Sequence, residues 1–175
     1  MNGLLINLTL FKAGWIAAVV SAAASFPTAG TLVIAVAAFV HIARAEDRQH
    51  EIRLLALAAV IGLLWESALV STGLVQYGAQ GVLPGIAPFW IVAMWVLFAT
   101  TLNVGMRWLR KSAVVAALAG AIGGPLSFVA GEKAGAVTFP DASAALFAIG
   151  LGWAVFLPLL VRFAARKDEP AALAA

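Results

Sequence analysis

The charged residues of this chain fall in short clusters, and the intervals between them are long and apolar. From Leu54 to Leu74, for instance, Glu66 is the only charge. A helix needs about 20 apolar residues to cross a bilayer. Six segments approach that length: about 4–24, 28–45, 53–76, 87–106, 112–131 and 143–164. Only 11% of the residues are charged and 63% are hydrophobic, against about 25% charged in soluble domains. Such a chain cannot cover a soluble surface. The expected fold is an all-α integral membrane protein, a compact bundle of about six transmembrane helices. Residues 1–165 form a single six-span domain, and 166–175 a flexible cytoplasmic tail.

The basic residues orient the bundle. Arg44, Arg48 and Arg53 flank the second loop. Arg107, Arg110 and Lys111 lie in the fourth, and Arg162, Arg166 and Lys167 at the end of the chain. With six spans these nine share one side, leaving Lys12 and Lys133 apart. The positive-inside rule then places that side, with both termini, in the cytoplasm. The first block ends in "SAAAS", which resembles a signal-peptide cleavage site. No basic residue precedes it and Lys12 interrupts it, so it reads as a retained span. The net charge of +3 follows from topology, and no basic patch interleaved with aromatics suggests nucleic acid.

Three features stand out inside the apolar zone. Ala116, Gly120 and Gly124 recur at four-residue intervals, a small-residue stripe that lets helices approach. Pro125 lacks an N–H and frees the carbonyl of Ala121, predicting a kink or broken turn. Glu66 is a charge where charge is costly. Counting about 1.5 Å per residue from the cytoplasmic ends, Glu66 and Pro125 both lie roughly 20 Å along their helices. A protonated Glu66 could therefore donate to the Ala121 carbonyl. Alternatively it pairs with Lys12, roughly 12 Å along the first span, unless Lys12 snorkels to the surface. Asn7, Thr100, Thr101 and Asn103 gather in the cytoplasmic half, and Ser127 follows the proline. Glu66 is read as binding a cation, a proton or a polar lipid group, or else as a neutral residue that holds helices together.

The aromatics divide by depth. Tyr77, Phe89, Trp90 and Trp108 fit interfacial belts. Trp15, Trp65, Trp95 and Trp153 lie deeper and either fill space or line a ligand cavity. Other chemistry is sparse. His41 and His50 are nine residues apart, without a cluster of acids, so no metal site is expected; they read as interfacial or solvated. Ser67, Ser71 and Ser127 have no histidine base in the apolar zone. "GEKAG" at 131–135 does not match a phosphate loop. Asp141 and Ser143 are equal candidates to cap the last span. With no cysteine, thiol chemistry is excluded. No cofactor is called for.

Three stretches, "NLTLFKAGW" at 7–15, "PFWIVAMWVLFATTLN" at 88–103 and "GGPLSFVAGEKAGAV" at 123–137, resemble the bacterial inner-membrane family catalogued as domain of unknown function 2878. The resemblance runs over nearly the whole chain. It directs attention to Asn7, Trp15, Glu66, Asn103, Gly124, Pro125 and Gly131. Lys12 departs from the family pattern, where an uncharged amide is commoner, so a Lys12–Glu66 pair is not implied for the family. The resemblance implies a small inner-membrane protein, accessory or catalytic in membrane-lipid (fatty-acid) modification or the oxidative-stress response. Its expected partners are membrane lipids and a cytoplasmic lipid-modifying enzyme. The rival readings are a proton-coupled transporter using Glu66 and a non-catalytic scaffold for such an enzyme. Only Ser71, Thr72 and Gln76 continue a polar path beyond Glu66 on the third span, and no internal repeat is evident.

Overall fold

The computed structural model describes residues 3–79 and 83–165. The sequence-predicted tail at 166–175 lies outside them, as does part of the third loop. Among the described residues six α-helices follow one another: α1 (Gly3–Ala23), α2 (Pro27–Arg44), α3 (Arg48–Ser71), α4 (Phe89–Ala99), α5 (Ala113–Lys133) and α6 (Ala142–Ala164). Five are long and apolar enough to cross a membrane. Their outward faces carry Leu5, Val20, Leu32, Phe39, Leu64, Leu118, Ile122 and Phe147, all exposed. A belt of that kind suits lipid and not water.

Local chemistry sets the helix ends. Pro27 supplies the first turn of α2, where a missing N–H costs nothing. At Gly30 an added Cβ would overlap the α1 backbone at Ala18, so only glycine permits this approach. The Ser21 hydroxyl accepts the Gly30 N–H at 3.1 Å. Asp47 caps α3 by accepting the His50 N–H at 3.0 Å. The helix therefore starts at Arg48, a turn before the predicted boundary at 53. Asp141, not Ser143, caps α6, accepting from Ala144 at 3.0 Å.

Two expectations fail. The fourth helix, predicted over 87–106, is regular only from Phe89 to Ala99, 11 residues. Threonine chemistry ends it. The hydroxyls of Thr100 and Thr101 bond back to Leu97 and Phe98 carbonyls at 2.7 and 2.6 Å. The N–H groups of Val104, Gly105 and Met106 then converge on the Thr101 carbonyl. A 3₁₀ turn at Arg107–Lys111 follows. Second, of the kink or broken turn predicted at Pro125, the broken turn does not occur: α5 runs from Ala113 to Lys133 without interruption. The Ala121 carbonyl it frees faces α6 at Gly150, where a Cβ would sit 3.2 Å from that oxygen and 3.5 Å from the proline Cγ. The glycine lets α6 cover the defect, so the carbonyl need not recruit Glu66.

A short antiparallel ladder, absent from the sequence reading, joins two loops. Gln76 pairs with Thr138 and Tyr77 with Val137. The C-terminal ends of α3 and α5 thus lie together at one end of the bundle. At the other end, His50 and Arg110 both donate to the Ala164 carbonyl, at 3.2 and 3.3 Å, and Asn7 donates to the Thr100 carbonyl at 2.9 Å. The start of α1 and the end of α6 therefore share an end. Short as α4 is, its segment travels the length of α3. Trp90 packs edge-on against Tyr77, 5.3 Å between rings, while Asn103 reaches Glu51.

Candidate functional site

One stripe of α3 organises the interior. Glu51, Leu54, Leu55, Ala58, Gly62, Glu66 and Leu69 are its buried residues, spaced at helical period. It carries an acid at each end, about 22 Å apart at helical rise. Each acid anchors a separate polar layer.

The Glu66 layer is made of neutral donors. Its side chain is fully buried, 0% exposed. The Tyr77 hydroxyl donates to Oε2 at 2.5 Å and the Trp95 indole Nε1–H donates to Oε1 at 2.8 Å. Burial, and then the neighbouring carboxyl, hold the Tyr77 hydroxyl well above the ordinary phenol range, so it stays a donor. Tyr77, expected in an interfacial belt, is turned inward by the ladder that pairs it with Val137. Gly62, one turn before Glu66, gives the Trp95 ring its place: a Cβ at Gly62 would run into that ring. Trp95 stacks on Trp153, 4.5 Å between centroids and 17° between planes, and a Cβ at Gly124 would strike Trp153 in turn. Two indoles from α4 and α6 are thus clamped between glycines of α3 and α5. Gly120 lies against the Trp153 carbonyl.

Beside this clamp is a cavity of about 670 Å³, between α1, α4, α5 and α6. Phe11, Trp15, Met94, Phe98, Phe128 and Leu157 give it apolar walls, and Glu66, Trp95, Trp153, Gly120 and Gly124 also border it. Lys12, Ile16, Gly123 and Ser127, at its border, are exposed, so it opens sideways between α1 and α5. Trp15 donates to the Ser127 hydroxyl across that opening at 3.3 Å. Lys12 forms no ion pair with Glu66; the carboxyl is fully buried and takes the Trp95 N–H. The indole Nε1–H of Trp153 is buried with no partner among the described residues. Trp65 does not border the cavity; its ring packs edge-on against Phe156, 5.2 Å between centroids, and lies over Gly152.

The Glu51 layer is ionic. His41 Nε2 lies 2.9 Å from Glu51 Oε2, and Asn103 donates to Oε1 at 2.6 Å. Arg110 in turn donates to the Asn103 oxygen. The polar residues divide between the two layers. Asn7, Thr100 and Asn103 belong with Glu51, and Ser127 and Lys12 belong to the Glu66 cavity. Thr101 is buried and bonded to its own helix. Of the two histidines read as interfacial or solvated, His41 is largely buried and holds Glu51, while His50, partly buried, donates to the Ala164 carbonyl and stacks on Phe163 at 5.7 Å.

Sequence reading missed Glu51, His41, Arg110 and Tyr77. A signal existed for Glu51. Carrying the α3 periodicity back through the Asp47 cap puts it on the stripe of Leu54, Ala58 and Gly62. Tyr77 had none, because a loop ladder aims it.

No curated protein and no solved structure matches the chain. The model of the family described as a protein of unknown function (DUF2878) matches residues 4–159, from the first turn of α1 into the last turns of α6, and the chain belongs to that family.

Proposed function

We propose that the chain is a six-crossing protein of the bacterial inner membrane, with both termini cytoplasmic. In this reading it takes the acyl chain of a membrane lipid into the cavity beside Glu66. It then serves, as catalyst or accessory, in membrane-lipid modification. The observation that carries the reading is that lateral apolar cavity of about 670 Å³, bordered by Trp153, whose buried N–H has no partner among the described residues. Ligand sites are concave, mostly apolar and set with a few polar groups. Acyl methylenes suit the Phe and Met walls. An ester or carboxyl oxygen would satisfy the Trp153 donor, and the Lys12 ammonium at the mouth suits an anionic end. The basic residues at the Glu51 end support the orientation.

A transporter needs a polar route to both sides. Here Leu54, Leu55, Ala58 and the stacked Trp95 lie between the two acids, all buried. That apolar layer favours a lipid-binding role.

The test uses Gly123, which borders the cavity and has nothing within 4 Å of a built Cβ. A lipid with brominated acyl chains should quench the tryptophan fluorescence of the wild type beyond the quenching of surface rings. Gly123→Phe should keep the fold and lose most of that excess. Equal quenching in both proteins rejects an acyl chain in the cavity. Unchanged lipid profiles in a deletion strain, with and without oxidant, would reject the role in lipid modification.

A further inference from the structure

A second cavity, of about 490 Å³, lies at the other end of the bundle. The first turns of α1, the end of α2 and the 100–110 segment enclose it. It is bordered by Asn7, His41, Arg44, Glu51, Asn103 and further polar groups, among them Glu46, Arg107 and Arg110. Three arginines against two glutamates leave the lining cationic by one charge (+3 − 2), or by two with His41 protonated. The Glu51 oxygens already receive His41 and Asn103.

Two groups remain to meet a ligand. Arg44 is exposed and has no hydrogen bond or ion pair among the described residues. Asn7 is only 8% exposed, and its Oδ1 is buried without a partner among the described residues. Its orientation is fixed, because Nδ2 donates to the Thr100 carbonyl and a flipped amide would set oxygen against oxygen. An unpaired buried acceptor costs stability until a donor reaches it. The site therefore offers a guanidinium for an anion and an acceptor for a hydroxyl or ammonium.

We propose that this cavity binds a phosphate ester whose alcohol portion bears a hydrogen-bond donor, such as phosphoglycerol or phosphoethanolamine. Arginine takes the phosphate oxygens in paired hydrogen bonds, and the Asn7 oxygen takes the hydroxyl or ammonium. Inorganic phosphate keeps a P–OH donor near neutral pH but has no alcohol arm to carry a donor to Asn7 while its other oxygens meet Arg44, and so binds less well. The site is separate from the acyl cavity and does not depend on it. Its ligand is either the headgroup of a lipid or a soluble ester of the same chemistry.

The full chain in a neutral detergent is titrated with glycerol 3-phosphate and with inorganic phosphate, and binding is read by thermophoresis. In a second arm it is placed in phosphatidylcholine nanodiscs with or without phosphatidylglycerol, and retained lipid is read by native mass spectrometry. Binding of glycerol 3-phosphate, tighter than that of inorganic phosphate, supports the site and assigns a soluble ester. Selective retention of phosphatidylglycerol alone supports it and assigns a headgroup. In either case Arg44→Gln, at an exposed position that leaves the fold intact, weakens binding about tenfold, and Asn7→Asp weakens it further by like-charge repulsion. The proposal is overturned if neither ligand binds, if inorganic phosphate binds as tightly as the ester, or if Arg44→Gln leaves binding unchanged in a folded protein.

Discussion

Glu51 and Glu66 sit on the same buried stripe of the same helix, and their surroundings are opposite in kind. Glu51 is held by an imidazole and by an amide that is itself tied to a guanidinium. Glu66 is held by a phenol and an indole. Glu51 lies near the end of the bundle, where long cationic side chains reach inward and a polar cavity forms. Glu66 lies where only aromatic side chains fill the space, so its hydrogen bonds come from their polar edges. A buried carboxyl is tolerated in either way, by charge or by converging neutral donors. The two choices give different cavities, one cationic and one apolar.

The contrast can be broken by substitution. The largest effect is expected for Glu66→Leu, which leaves the Trp95 N–H and the Tyr77 O–H buried with no acceptor. At about 1–3 kcal/mol for each stranded donor, the loss is about 2–6 kcal/mol. Thermal unfolding in detergent measures it, and a loss below about 1 kcal/mol would mean that these donors find other partners. Next comes Gly62→Ala. The new methyl meets the Trp95 ring, and overpacking of this kind costs about 1–3 kcal/mol. Near-ultraviolet dichroism should show the Trp95–Trp153 stack disturbed; an unchanged spectrum would dispense with the clamp.

Glu51→Gln should cost about 1–2 kcal/mol, because hydrogen bonds that were charge-assisted become neutral. The loss should shrink when His41 is also replaced by Gln. If the two substitutions are simply additive, the pair is not coupled. The smallest effect is expected for Glu66→Gln, about 1 kcal/mol. The amide oxygen still accepts from Trp95 and the amide N–H meets the Tyr77 oxygen, so only the Tyr77 O–H must turn elsewhere. Stability thus separates the acids, and activity need not follow. In a deletion strain, full complementation by Glu66→Gln would show that protonation at this position has no part in function.

The physical class of this protein was legible in the chain because it depends on local quantities. Apolar runs, loop charges and the Pro27 turn are each readable within a few residues. The weight placed on Glu66 came from the same source, an isolated acid in an apolar run. The partners assigned to it did not survive. Depth counting put Glu66 level with the Ala121 carbonyl, but depth says nothing of the angle around each helix, and Gly150 already covers that carbonyl. Lys12 likewise shares a cavity with Glu66 without touching it. The end of α4 was missed because Thr100 and Thr101, unremarkable in an apolar helix, here turn their hydroxyls onto their own backbone.

Sequence alone determined that the chain is helical, greasy on its outer face and marked by one acid that needs partners. Each follows from composition and spacing along a single segment. Tertiary structure decided which partners those are. A ladder of two residues swings Tyr77 inward, a glycine lets Trp95 lie flat on α3, and the end of α4 delivers Asn103 to Glu51. Each depends on the distance between segments far apart in the chain, which spacing along any one of them does not contain.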